Sequence, residues 1–420
     1  MNLKKVNIII TFAPFLVFQV MCIKIPFMRA ISLVLLLMPS FLVFLSWIKK
    51  DKTIFLGSNT IAFCLYIAVL SIYVLISTNF AQGIQYILTQ IITVSPIFIG
   101  MYFIKQIDND NRFYDIRKII ILLLLAYLYC LTRSLILVAE NPYAIRNMAN
   151  YDPSMGTENA ITEIAVGGGY PLLFSLIFII PFLLHVILNC KSLICRKLFL
   201  VIFVFSSIFM IFANVATGFI VCSVLATAVL NERYIKKFKT LLILCFVIII
   251  CAMINRQFID SIINLICLLF DKDSIIYMRL QDIVPTLYDG IGDSTFADRI
   301  RRMKLSADVF LDYPVLGAGV WYGFEFSERW KYIGNHCDML DTLALNGMFL
   351  TTIYLFFLVK SFRNVLNEIS GSKNKIMYSI LGIGLIILAF FDPVLENNTI
   401  FTMYFLIPVS IKILEKQNIL

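Results

Sequence analysis

The chain has 420 residues, of which 60% are hydrophobic and only 15% charged, and its mean hydropathy is +0.90. A soluble domain carries about a quarter of its residues as charges, so a soluble globular class is excluded. The formal charge of +9 is therefore read for membrane topology, and no nucleic-acid partner is expected.

A bilayer-crossing helix needs about 20 mostly apolar residues, and such runs recur from end to end. Twelve spans are predicted, at 6–23, 30–48, 60–78, 84–104, 119–139, 170–190, 198–213, 215–230, 240–254, 342–359, 376–391 and 398–414. Lys4 and Lys5 precede the first run and no small-residue cleavage site follows it, so it reads as a first helix and not a removed signal. The runs 198–213 and 215–230 are short, and 213–218 is either a tight turn or a break in one long helix. The ten cysteines lie mostly inside apolar runs, with no CxxC and no zinc spacing, and read as small hydrophobes. Cys267 and Cys337 share one loop and are open to pairing.

With the N-terminus in the cytoplasm, seven segments on that side, from Lys4 to Lys416, carry 22 of the 35 basic residues against 7 acidic ones. Outside, away from one long loop, only Lys24, Arg29, Arg133 and Arg146 remain. This asymmetry places both termini inside. The fold class expected is an all-α polytopic integral membrane protein. It divides into spans one to five (1–139), a first outer loop (140–169), spans six to nine (170–254), a large outer loop (255–341) and spans ten to twelve (342–420).

In the first outer loop Arg146 precedes the glycine-rich run Gly167-Gly168-Gly169-Tyr170-Pro171. Arg133 stands near the outer end of the fifth span. An ionisable group there costs about 2.5–3.5 kcal/mol on insertion scales and is a functional candidate, unless it snorkels to the interface. The large loop opens with 258–270, whose apolar side could lie along the membrane surface.

Further along, Thr295 and Asp298 begin a helix in the manner of a capping box. Ile300, Met303, Ala307 and Phe310 recur on one face of it, Arg299, Arg302 and Ser306 share another, and Pro314 ends it. With Arg301 and Lys304, four of the six residues 299–304 are basic, although the loop as a whole holds 13 acidic residues against 9 basic ones. Such a local cationic spot suits a compact anion like a pyrophosphate, which arginine binds bidentately. The alternative is a solvated face with ion pairs along the helix. Gly317 and Gly319 follow, where a close backbone approach or an unusual φ is permitted.

His336, one of two histidines, stands just before the tenth span with Asp338 and Asp341 beside it. If Asn335 is an N-cap and Asp338 its partner, the motif simply starts a helix. Otherwise His336, or an aspartate next to it, is an acid–base group at neutral pH. No third ligand accompanies Asp338 and Asp341, so neither a metal site nor a cofactor is expected. Walker A, Rossmann and HExxH patterns are absent, which argues against a nucleotide-driven pump.

The order Arg299-x-x-Arg302, Phe310-x-x-x-Pro314-x-x-Gly317-x-Gly319, His336-x-Asp338 and Gly347 resembles the Wzy-type O-antigen and capsule polymerases and the related O-antigen ligases. The run Asn141-Pro142, Arg146, Ala149, Gly168-Gly169-Tyr170 is similar to some of those polymerases. One departure stands out. Many members carry a Ser-Arg pair near the turn that is ANVATGF (213–219) here, so Arg146 or Arg133 would have to make that contact.

The resemblance implies a GT-C-like fold and metal-independent glycosyl transfer at the outer face of the bacterial cytoplasmic (inner) membrane. The donor would be a polyprenyl-pyrophosphate-linked oligosaccharide and the acceptor a sugar hydroxyl of another lipid-linked repeat unit. Arg299, Arg302, Arg301, Arg146, Arg133, Gly317 and Gly319 would bind substrate, and His336, Asp338 and Asp341 would be catalytic. The lipid bilayer and a possible chain-length regulator protein complete the implied partners. Ligation to lipid A-core and a flippase activity are the alternatives. A flippase would more often show internal repeats and polar residues in mid-span, and neither is clear here.

Overall fold

The computed structural model describes residues 58–108, 110–140, 169–213, 215–230, 295–324, 332–395 and 397–420, with a few positions between 263 and 281. All of the regular elements described are helical. In a bilayer the backbone has no water to bond, so an element that satisfies its own N–H and C=O groups is required. Six helices are long and apolar enough to cross: Phe80–Ile107, Arg112–Glu140, Pro171–Asn189, Leu193–Phe212, Asp338–Glu368 and Ser372–Ala389. Two shorter apolar helices, Thr60–Ile76 and Thr217–Leu230, fall on further predicted spans. The last predicted span is built from Asn397–Phe401, a π-helical segment Thr402–Leu406, and Ile407–Lys416. Spans 6–23, 30–48 and 240–254 lie outside the described residues, as do 141–168. Within 258–270, Ile263 and Cys267 are buried while Leu265 and Leu268 are exposed.

The π-helical segment lies against Phe80–Ile107 so closely that a Cβ on Gly100 would be 2.2 Å from the Tyr404 carbonyl. Small residues let backbones approach in this way. Tyr378 Oη donates to the Met403 carbonyl at 2.7 Å and Tyr404 Oη to that of Leu358 at 3.1 Å, which ties the last three crossings together.

The polar contacts sort into two ends of the bundle. At one end Lys412 Nζ lies 3.6 Å from Asp108 Oδ1, and Lys416 Nζ donates to the Ile107 carbonyl at 2.7 Å. Lys373 Nζ donates to Asn189 Oδ1 at 3.2 Å, and Glu415 accepts from the Ser370 and Gly371 backbone and from Asn374 Nδ2. His185 is buried at this end, with Nε2 2.8 Å from Asn374 Oδ1. These segments all belong to the predicted cytoplasmic side.

At the other end Thr78 Oγ1 donates to the Trp321 carbonyl at 3.1 Å and Ser175 Oγ reaches that of Asn398 at 3.4 Å. Arg299 meets Thr217 and Asp392 there. These loops all belong to the predicted outer side. The charge distribution and the three-dimensional contacts therefore group the described loops alike.

The tenth predicted span is broken. Helix Asp338–Glu368 has a non-helical residue, Gly347, at φ 69° and ψ 174°. Thr351 Oγ1 donates to the Thr342 carbonyl at 3.1 Å, although nine residues of straight helix would put those positions about 13 Å apart. The 338–346 arm thus folds back on the 348–368 arm.

The turn after Pro314 enters the break. The helical bond from Met348 N to Ala344 O is exchanged for Met348 N to Pro314 O and Ala318 N to Ala344 O, both 2.8 Å. Gly317 has φ +76°, and a Cβ there would lie 2.3 Å from the Leu345 carbonyl; one on Gly347 would lie 2.1 Å from that of Val315. The close approach open to Gly317 is to the protein's own backbone.

Candidate functional site

The helix Thr295–Asp312, here termed the arginine helix, packs against the broken helix. It ends two residues before Pro314, which cannot continue it. Its Arg299–Arg302–Ser306 face is turned inward: Ser306 is fully buried, and Arg299 and Arg302 side chains are each 36% exposed. Arg301 and Lys304 occupy the exposed face. The solvated-face alternative therefore describes Arg301, and in part Arg302, which pairs with Asp298 along the helix, but not Arg299.

Ser306 fastens this helix to the loop that carries the histidine. Its hydroxyl donates to Asp341 Oδ1 at 2.5 Å and accepts from Gly334 N at 2.9 Å, while Asp341 Oδ2 accepts from Cys337 N at 3.0 Å. Gly334 is pressed on the Arg302 backbone, where a Cβ would meet the carbonyl oxygen at 2.1 Å. Asn335 then takes a left-handed φ of 55°, a conformation asparagine tolerates better than most residues. The outcome is that His336 lies beside Arg302 and Arg299. The N-cap is Cys337, with no side-chain cap bond, and not the Asn335 that the helix-start alternative called for. Cys337 and Cys267 are both free thiols, so the pairing left open by the sequence is not made.

His336 is half-buried, and its imidazole has no hydrogen-bond partner among the described residues. Burial first, then the Arg302 and Arg299 charges, push it down to about 4, with Asp298 opposing. It is a neutral imidazole at pH 7. Arg302 Nε donates to Asp298 Oδ2 at 2.8 Å, but that carboxylate is 49% exposed. Exposed pairs of this kind are weak, about 0–1 kcal/mol, so an incoming dianion can displace the aspartate.

Asp338 and Asp341 have structural tasks. Asp341 holds the arginine helix, as above. Asp338 Oδ2 accepts from the backbone N–H groups of Val394 and Leu395, which anchors the loop after Ser372–Ala389. Proton transfer by either aspartate, as the sequence suggested, would have to compete with these bonds.

The anchored loop brings in a residue that the sequence reading passed over. Asp392 Oδ1 lies 3.3 Å from Arg299 Nη1, its side chain is 7% exposed, and its Oδ2 has no hydrogen-bond partner among the described residues. Burial pushes this carboxyl up to about 6, and Arg299 holds it below what burial alone would give. The available signal was an isolated acid in the apolar run FFDPVL (390–395). Arg299 Nη1 also donates to Thr217 Oγ1 at 3.2 Å. The turn that lacks an arginine thus contributes a hydroxyl to the same group.

Arg133 lies on an exposed face of Asp110–Glu140 and has no ion pair among the described residues, so it is not brought to this site. Arg146 lies outside the described residues. Gly319 packs on Phe324, whose ring a Cβ would meet at 2.4 Å. Among the described residues no group of three His, Cys, Asp or Glu is placed to hold a metal ion.

The arrangement is two guanidiniums one turn apart, a neutral imidazole and a buried carboxylate, collected at one end of an apolar bundle. It can bind a compact anion and accept a hydrogen bond from a neutral hydroxyl beside it. Compared with known proteins, the chain matches no family model and no curated sequence.

Proposed function

We propose that the protein is a repeat-unit polymerase. It transfers a glycan from a polyprenyl-pyrophosphate carrier to a sugar hydroxyl of another lipid-linked unit. The reaction would take place at the outer face of the bacterial cytoplasmic membrane, in a GT-C-like shell of about twelve spans. One observation carries this reading: Arg299 and Arg302 of the arginine helix and His336 of the loop before the broken helix meet at a half-exposed polar spot on the predicted outer end of a membrane bundle. The resemblance of these residues and their spacing to the Wzy-type polymerases supports it.

In this mechanism Arg299 and Arg302 hold the donor diphosphate and stabilise the charge that builds on it as the glycosidic bond breaks. His336, neutral among these cations, donates its ring N–H to the oxygen of the acceptor hydroxyl and aims it. Asp338 and Asp341 keep the two supporting segments in register. The bilayer presents both polyprenyl chains to the same end of the bundle.

Deletion of the gene tests the reading against its rivals. A polymerase loss leaves single repeat units on the cell surface. Ligase loss leaves none, and loss of a flippase traps lipid-linked units inside.

A further inference from the structure

Asp392 is a buried carboxylate with half of its acceptor capacity unused. Its Oδ2 is the one carboxylate oxygen among the buried polar atoms without a partner in the described residues. Buried acceptors are satisfied in roughly nine cases of ten or more, so this oxygen calls for a donor that arrives with a ligand. The cation beside it is also only partly used. The two contacts of Arg299 among the described residues, with Thr217 Oγ1 and Asp392 Oδ1, both come from Nη1. The rest of the guanidinium fork has no partner among the described residues.

Building on the polymerase reading, we propose that Asp392 is the proton acceptor of the transfer, its Oδ2 receiving the proton of the attacking sugar hydroxyl. Arg299 is the shared partner: one edge keeps Asp392 while the open edge takes the donor diphosphate. That sharing puts the carboxylate next to the reacting carbon. It also weakens the cation's hold on Asp392 as negative charge arrives, which makes the carboxylate more basic when donor is bound.

The step balances. The hydroxyl O–H bond breaks and its proton moves to Oδ2. The oxygen bonds to the anomeric carbon, the carbon–oxygen bond to the diphosphate breaks, and the electron pair leaves on the diphosphate, facing Arg299 and Arg302. His336 is the weaker proton acceptor of the two, since burial first, and then the same arginines, disfavour its cation. Its part is to orient the hydroxyl. Arg299 is the charged group acting on Asp392.

The test uses the full-length protein in phospholipid vesicles with a radiolabelled lipid-linked repeat unit. It reads donor binding, polymer ladder and released polyprenyl diphosphate. Native protein that binds donor but makes no ladder rejects the polymerase reading itself. Given native activity, Asp392→Asn keeps an acceptor for Arg299 but cannot take the proton. Donor binding should be unchanged and polymer should fall on the order of 10²-fold or more. Polymer at the native level, or loss of donor binding together with polymer, overturns the proposal.

A second measurement holds even where the variant fails to fold. The acidic limb of the native pH–rate profile should persist in His336→Gln. Its disappearance there would make the histidine the base and overturn the proposal.

Discussion

The Ser306 hydroxyl donates to the Asp341 carboxylate at 2.5 Å and accepts from Gly334 N at 2.9 Å, so one buried side chain locks three segments. Ser306→Ala removes the acceptor of a buried N–H and a donor to a carboxylate. The cost should be about 1–3 kcal/mol, seen as a lower melting temperature in detergent. A melting curve identical to native would show that the lock is replaceable.

Gly347 offers a sharper case. A non-glycine residue in its left-handed conformation costs about 1–3 kcal/mol, before any contact between an added Cβ and the Val315 carbonyl 2.1 Å away. Gly347→Ala is expected to abolish monodisperse expression, while Gly218→Ala, whose Cβ would meet only side-chain carbons at 3.2 Å or more, should be tolerated. Equal behaviour on size exclusion would contradict the exchange of backbone bonds at the break.

Substitution of the arginines addresses the proposed anion site. Lysine keeps the charge but not the fork, so Arg299→Lys and Arg302→Lys should lose polymer nearly as fully as the alanine variants. Arg301→Lys, on the exposed face, should stay near native. A ladder of native length from both inward-facing lysine variants would remove bidentate recognition from the mechanism.

Asp392 also sets a pH dependence of stability. Its folded value is raised from 3.8 to about 6, so the folded state binds the proton more tightly than the unfolded chain. The stabilisation is full below the unfolded value and is lost as pH rises through about 6. Relative to the unfolded chain, ionised Asp392 then carries a penalty of roughly 3 kcal/mol. Asp392→Asn should melt higher than native protein at pH 7, and the gap should shrink as pH is lowered towards 4. A residue whose removal stabilises the fold while silencing transfer is one kept for chemistry.

Topology is open to labelling. Single cysteines at exposed Asp312 and Leu311, in a background without exposed native thiols, should react with an impermeant maleimide added outside cells. Cysteines at Lys373 and Asn418 should react only after permeabilisation. Labelling of all four from one side would break the two-ended grouping of the loops.

Much of this organisation was legible in the sequence because its signals are local. Apolar run length marked nine helical positions among the described residues, and basic residues sorted the loops between them. The arginine helix was visible in its spacing, and so were its two faces. What escaped was set by tertiary contact. Asn346-Gly347 is a turn dipeptide inside an otherwise apolar run, but what the break receives, the Pro314–Ala318 turn, is set by tertiary contact. Asp338 looked like an acid–base candidate because its partners, Val394 and Leu395, are 56 and 57 positions away. Asp392 gave no motif at all. Its importance comes from meeting Arg299.

That meeting has a consequence for the order in which the molecule is made. The Arg299–Thr217 bond spans 82 positions, and the Asp338 bonds to the 394–395 backbone span more than 50. Such closures follow the formation of local helices, since long loops must be ordered before they gain anything in return. The chain therefore completes its polar cluster only after Ser372–Ala389 and the loop that follows it have been made. A protein truncated before Ser372–Ala389 would lack Asp392 and the anchor for its loop, however well its earlier helices were inserted. Mild solubilisation that frays this end of the bundle would likewise scatter the Arg299–Asp392–Thr217 cluster while the helical content, read by circular dichroism, stayed intact.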